Sequence, residues 1–275
     1  MRSIGLALGS IVMASIAFAQ APVVNMGGVV NSGSYSTEGV APGSIVSIFG
    51  TSLAASTAVA STIPLSTELS DVTSVTFNNI PAPLYFVAGT QINAQLPWNV
   101  LPEGMTSGTV NVEVTRGTGT SAAQSVTIIP ASPGIFTVSN NGLGQAFAYD
   151  NTTGAVAAPA GTKIGSFKVT PISLSSGDPL IIACTGLGSV NQTLANGVAA
   201  PNATFNTLLT PTVLIGGVPA KFIYSVLSPQ YVSEYQIGVV PDPTTPTGNA
   251  VSLQIQINGV TTPVPPNQVT IAVGP

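Results

Sequence analysis

Apolar residues along this chain alternate with polar ones, and helical spacing is absent beyond the N-terminus. In Ala41–Gly50, APGSIVSIFG, Val46, Ile48 and Gly50 fall on one side and Ile45, Ser47 and Phe49 on the other. A period of two is the signature of a strand. Val75–Trp98, VTFNNIPAPLYFVAGTQINAQLPW, extends the pattern into a unit. A short apolar strand meets a turn at Asn78-Asn79, an Ile-Pro-Ala step follows, and then comes an aromatic strand at Leu84-Tyr85-Phe86. A loop and a Gln-bearing strand that stops at Pro97 complete it. Val213–Pro241, VLIGGVPAKFIYSVLSPQYVSEYQIGVVP, passes through the same steps, with Gly216-Gly217 at the turn and Phe222-Ile223-Tyr224 on the aromatic strand.

The spacing between the two copies is nearly constant. Gly43 to Gly177 and Thr51 to Thr185 are 134 residues apart, and Pro81 to Pro219 is 138. Val126-Thr127-Ile128 and Val269-Thr270-Ile271 are separated by 143. Small insertions in surface loops explain such drift, and the period is too long for a solenoid. The expectation is an all-β chain of two tandem β-sandwich domains related by internal duplication. The first spans residues 20–130 and the second 131–275, the latter opening with a linking segment and hairpin over 131–170. Pro130-Ala131-Ser132-Pro133-Gly134 marks the boundary. Within the linking segment, Asp150-Asn151-Thr152-Thr153-Gly154 reads as a hairpin loop, with Gly154 supplying the left-handed position. A membrane barrel is the competing β answer. Proline in or beside many strands, few aromatic residues and short strands count against it.

The N-terminus adds a location. Arg2 precedes an apolar run from Ile4 to Phe18 that ends in Ala17-Phe18-Ala19, the small-x-small pattern of a signal-peptidase site. Met1–Ala19 is therefore expected to be a removed signal, with the mature chain beginning near Gln20. No later run approaches the ~18 apolar residues of a membrane helix, so secretion without membrane insertion is predicted. A secreted chain without a disulfide, since Cys184 is the single cysteine, leans toward a bacterial producer.

Composition narrows the chemistry. Of 275 residues 44% are hydrophobic and 5% charged, with a formal net charge of −4; without Arg2 there are 4 basic and 9 acidic residues, or −5. A sparse negative surface lacks the basic footprint that phosphate backbones require, which argues against nucleic acid, and it offers no polybasic patch for anionic lipid. Histidine is absent, so no Ser-His-Asp or Cys-His arrangement can form. Cys184 in Leu180–Cys184 reads as a buried thiol with no base to activate it. Glu103 and Glu113 sit in or beside turns and on exposed strand positions, where solvated carboxylates are the expectation and a paired acid-base couple the lesser alternative. No ordinary zinc or copper set exists. Asp150-Asn151-Thr152 and Asp242 with Thr244-Thr245 are the local calcium candidates, and Asx turns account for both more simply. No catalytic residue, metal or cofactor is expected.

The stretch Gln91–Trp98 has the most functional character. Alternation puts Ile92, Ala94 and Leu96 on one face and Gln91, Asn93 and Gln95 on the other, with the chain's single tryptophan, Trp98, just beyond. A row of amides beside an indole suits sugar hydroxyls and pyranose faces. The same residues have a structural reading, in which the amides bond loop backbone between the domains and Trp98 fills the junction. Both readings stand at this stage.

The segments PGSIVSIFGTSLA, VTFNNIPAPLYFVAGTQINAQLPW, PASPGIF and the ACTGLG–IGGVPAKFIYS pair resemble those of exported acidobacterial proteins carrying the Solibacter-type uncharacterised C-terminal domain. The likeness runs from about Val30 to Val273. Each half also resembles the IPT/TIG branch of immunoglobulin-like folds. The resemblance implies secretion and an immunoglobulin-like sandwich, and it brings no activity or catalytic residue. In such proteins the module usually ends a much larger chain. Here it fills nearly everything after the signal, so no catalytic partner in the same chain is expected. Together these readings predict a secreted, non-enzymatic module for protein contacts or adhesion at the cell surface. The alternative is a carbohydrate-binding module using Gln91, Asn93, Gln95 and Trp98. The expected partner is accordingly an extracellular or cell-envelope protein or polysaccharide.

Overall fold

The computed structural model describes residues 20–263 and 268–275; the expected signal Met1–Ala19 lies outside the described residues. Among them there is no helix, and hence none long and apolar enough to cross a membrane.

Strand pairing divides into two sandwiches. In the N-terminal one, a sheet runs in the order Val23–Asn31, Ile45–Thr51, Gln91–Gln95, Leu84–Val87, Ala58–Val59. It faces a second sheet of Gln124–Ile128, Gly108–Arg116, Val72–Phe77 and Ile80–Pro81. The chain crosses to the second sheet at Val72–Phe77, returns to the first at Leu84–Val87 and crosses again at Gly108–Arg116, and this Greek-key order is that of an immunoglobulin-like sandwich. The C-terminal sandwich repeats it. One sheet runs Gly134–Ile135, Leu180–Thr185, Tyr235–Val240, Lys221–Leu227, and the other contains Val269–Gly274, Gly248–Ile257, Thr212–Ile215 and Val218–Pro219 in that order. In both, a short segment lies parallel to the last strand, through Val40 with Ile128 and through Gly144–Gln145 with Val269–Thr270.

The local sequence explains the turns. Asn78 and Asn79 have φ of 48° and 64°, and Gly216 and Gly217 have φ of 61° and 82°. Two successive left-handed residues make the tight hairpin turn whose twist matches its strands, and asparagine and glycine tolerate that region best. Asp150 organises the other predicted hairpin. Its Oδ1 accepts the Thr152 and Thr153 N–H groups at 2.7 and 2.9 Å, and the Gly154 N–H returns to its carbonyl at 2.8 Å. No calcium is needed to explain that geometry.

Each sandwich has its own apolar core. Val46, Ile48, Phe77, Ile92 and Val112 are fully buried in the first, and Leu180, Ile182, Tyr235, Ile237 and Ile255 in the second. Full burial of such side chains contributes roughly 1.5–3 kcal/mol each. A third, small cluster of Val156, Ala158 and Ile164 anchors the linking segment, where Phe147 and Phe167 meet edge to face at 5.1 Å. One ion pair is present among the described residues, Arg116 Nε to Asp71 Oδ2 at 3.2 Å.

Candidate functional site

Gln91–Gln95 is a central strand, bonded to Ile45–Thr51 on one side and Leu84–Val87 on the other. Ile92 and Ala94 point into the core, leaving Gln91 and Asn93 half-buried on the outer face. There the side chains are knitted together. Gln91 Nε2 donates to Asn93 Oδ1 at 2.7 Å, Ser47 Oγ donates to the same oxygen at 3.1 Å, and Ser47 meets Ser32 Oγ at 2.9 Å.

Gln95 leaves this row. It is fully buried, and the Gly197 N–H of the C-terminal sandwich donates to its Oε1 at 2.5 Å. Trp98 is tied to the same loop, its N–H donating to Asn196 Oδ1 at 2.9 Å while Asn196 Nδ2 donates to Asn99 Oδ1 at 3.1 Å. The indole lies on Gly43, where an added Cβ would stand 2.0 Å from its ring carbons, and Gly43 holds a left-handed φ of 73°. Glycine is required there twice over, for space and for backbone. Further bonds fasten the sandwiches: Ile45 N–H to Thr185 Oγ1 at 2.9 Å, Asn31 Nδ2 to the Ser132 carbonyl at 2.6 Å, and the Leu65 N–H to the Gly197 carbonyl at 2.8 Å. The Tyr85 hydroxyl donates to the Val232 carbonyl. The four sequence-selected residues are thus divided: Gln91 and Asn93 on an open sheet face, Gln95 and Trp98 at the junction. Ser44 Oγ, Gln95 Nε2 and Trp98 Nε1 are buried there without a protein partner among the described residues.

Between Trp98-Asn99 and the loop Ser189–Asn196 opens a cleft of about 540 Å³. Every residue lining it is uncharged, and six of the ten carry an amide or a hydroxyl over a largely apolar wall. On the other side of Trp98 lies a smaller apolar hollow of about 220 Å³, walled by Pro42, Leu101, Met105, Pro130 and Leu208.

The outer face of the C-terminal sandwich carries a second constellation. Backbone register aligns Tyr149, Ile181, Gly238 and Tyr224 in one row. Gly238 is the floor under the Tyr224 ring, since a Cβ there would stand 2.5 Å from it. Gln236 Nε2 donates to the Tyr149 hydroxyl at 3.2 Å and to Ser228 Oγ at 3.0 Å. Burial pushes the Glu234 carboxyl above its ordinary range, and a bond from the Ser228 hydroxyl pulls it partly back. Burial, then the nearby Tyr224 and Glu234, push the Tyr149 phenol up to about 12. Tyr85 is raised by burial and by the same carboxylate. Beside this row, the strand Lys221–Leu227 is the outermost of its sheet. Its far end is covered by the bridge Asn206–Val226, but Phe222 and Ile223 are 40% and 44% exposed. The members of the row are 14 to 89 positions apart in sequence, and the pairing that aligns them is non-local. Sequence reading therefore marked the aromatic strand but not the row.

Among the described residues no three His, Cys, Asp or Glu side chains gather into a possible metal site. Cys184 is buried, its thiol bonded to the Tyr235 carbonyl at 3.6 Å, and burial pushes it well above the ordinary thiol range. Glu103 is exposed.

No protein-family model matches the chain, and no curated protein does. Among solved structures, it is similar to the extracellular region of plexin A4 at 11% identity, over 95% of this chain and 19% of that one, with a TM-score of 0.29. A surface glycan-binding protein from Prevotella bryantii is similar at 8% identity, over 88% of this chain and 41% of that one, with a TM-score of 0.25. The I9–I11 tandem of titin is similar at 10% identity, over 92% of this chain and 65% of that one, with a TM-score of 0.22. The chain spans about a fifth of the plexin region's length. Its immunoglobulin-like fold rests on the strand pairing described above.

Proposed function

We propose that this chain is a non-enzymatic binding module, exported from a bacterial cell, that uses two fastened immunoglobulin-like sandwiches to make protein contacts at the cell surface. The single observation that carries this reading is the open edge of the C-terminal sandwich. Phe222 and Ile223 stand exposed on an outermost strand, followed by the half-buried Tyr224. Large exposed side chains along an unpaired edge are unusual in a protein with no partner, because such an edge templates strand addition. A partner strand adding here would gain backbone bonds from the edge and apolar burial from Phe222 and Ile223. The resemblance to exported acidobacterial proteins belongs to the same reading, and so does the predicted signal.

The test is binding of the purified chain to intact cells of the producing organism, with and without prior protease treatment of those cells. Saturable binding that protease removes, and that a Phe222→Asp, Ile223→Lys double variant loses while keeping its unfolding midpoint, is the expected result. Equal binding by the double variant overturns the assignment to this edge.

A second reading, carbohydrate binding, is favoured by one feature: the uncharged, amide-rich cleft walled by the only tryptophan.

A further inference from the structure

The cleft between the sandwiches differs from the strand face that the sequence singled out, and its chemistry is more specific. Five of its side chains can be followed atom by atom. Asn196 is used at both ends, by the Trp98 N–H and by Asn99 Oδ1. Asn99 therefore spends its oxygen on Asn196, and its Nδ2 has no partner among the described residues. Asn191 Oδ1 accepts the Asn206 N–H at 2.9 Å, leaving its own Nδ2. Gln192 Nε2 donates to the Thr204 carbonyl at 2.8 Å, leaving Oε1. The Thr193 hydroxyl makes no bond to the described residues, and Asn99, Asn191, Gln192 and Thr193 are all exposed.

Each of these three amides is thus anchored at one end and open at the other. An amide held in this way has lost most of its rotamer freedom before any ligand arrives, which lowers the ordering cost of binding. The open ends supply two donors and one acceptor, with a hydroxyl between them, beside an indole. The volume, about 540 Å³, falls within the ~300–1,000 Å³ of small-ligand sites. No lysine, arginine, aspartate or glutamate lines it, so a charged ligand would be desolvated without compensation. A ligand rich in hydroxyls with an apolar ring face satisfies all three conditions: amide partners, an aromatic wall and no charge.

We propose that the cleft bounded by Trp98, Asn99 and the loop Ser189–Asn196 is a binding site for a neutral oligosaccharide, with Asn99, Asn191, Gln192 and Thr193 meeting its hydroxyls. The proposal rests on the carbohydrate reading and relocates its site. Gln91 and Asn93, bonded to each other on the open sheet, take no part, and Gln95 acts only by holding Gly197 and hence the loop.

The experiment titrates the full chain with cellohexaose, xylohexaose, mannohexaose, laminarihexaose and chitohexaose, following Trp98 emission, with polygalacturonate as the charged control. A saturable shift with a neutral oligosaccharide is expected, and weakening by about tenfold or more in the Asn99→Ala, Gln192→Ala, Thr193→Val triple variant, since each lost hydrogen bond is worth ~1 kcal/mol. Those side chains are exposed, so the variant keeps its fold, which an unchanged urea midpoint verifies. A Gln91→Ala, Asn93→Ala variant is expected to bind like the parent. If an oligosaccharide binds but only the Gln91, Asn93 variant loses it, this site is wrong and the carbohydrate reading stands. Silence across the whole panel from folded protein overturns both.

Discussion

Gln91 and Gln236 occupy the same position in the two sandwiches. Gln91 is paired with Phe49 and Gln236 with Ala183, one rung beyond Ile48–Ile92 and Ile182–Ile237 respectively. From that shared rung the two strands diverge outward. The first continues with Asn93 and Gln95, the second with Gly238 and Val240. In the N-terminal sandwich the row ends beneath the neighbouring sandwich, where Gln95 serves as a fastener. In the C-terminal sandwich the row stays at the surface, and its glycine makes room for Tyr224. Core positions repeat because each sandwich must fill its own interior, whereas outward positions follow whatever lies on top of them. The edges show the same contrast: Ala58–Val59 covers Leu84–Val87 in the first sandwich, and the corresponding Lys221–Leu227 is left half open.

Substitutions can break this comparison in graded steps. Gly43→Ala should have the largest effect. It forces a side chain into a left-handed backbone, at roughly 1–2 kcal/mol, and drives the Trp98 ring off its seat, an overpacking cost of roughly 1–3 kcal/mol. The urea midpoint should fall accordingly, and Trp98 emission should move to the red as the indole is exposed. Gln95→Leu comes next, at roughly 1–3 kcal/mol, because the Gly197 N–H is left buried without an acceptor. Gln236→Leu on the matching rung should cost under ~1 kcal/mol, since the half-buried Tyr149 hydroxyl can turn to water and the buried Ser228 hydroxyl keeps the Glu234 carboxyl as its partner. Equal losses for the two glutamine variants, measured by urea unfolding, would erase the distinction between fastener and surface row.

Ionisation sharpens the same contrast from the C-terminal side. The folded protein holds the Glu234 carboxyl above its ordinary range, so folding favours the protonated form. Its contribution is fully present below the unfolded pKa and is lost as pH rises through the folded one. Glu234→Gln should therefore raise the urea midpoint at pH ~7, and the gain should shrink below pH ~4. Tyrosine works at the other end. Tyr149 is pushed up to about 12, while an unfolded tyrosine ionises near ~10. Between these values the unfolded chain has released a proton that the folded one keeps, so stability should fall as pH climbs through that interval. Urea midpoints at pH ~9 and ~11 measure it, and Tyr149→Phe should flatten the decline.

Much of this architecture is legible in the sequence because it is local. Period-two alternation in Ile45–Thr51 places Val46 and Ile48 inward, and Asn78-Asn79 and Gly216-Gly217 announce hairpin turns by residue type alone. Asp150 through Gly154 does the same for the linking hairpin. What cannot be read this way is contact across long sequence separation. Gln95 and Gly197 are 102 positions apart, and nothing in either neighbourhood points to the other. Alternation assigned Gln95 to an outward face, which is correct for the strand. It carries no information that another sandwich covers that face at one residue and spares Asn93. The Tyr149–Ile181–Gly238–Tyr224 row is hidden for the same reason, since it exists only once three pairings are in register.

That Arg116 and Asp71 form the one ion pair among the described residues has a consequence for the media such a protein tolerates. Electrostatic screening shortens to ~3 Å at 1 M salt and reaches ~30 Å at 0.01 M, so a protein held together by charges answers to every change in its medium. This one has almost nothing for ions to screen. Its folding and its neutral cleft should behave alike in dilute buffer and in brine.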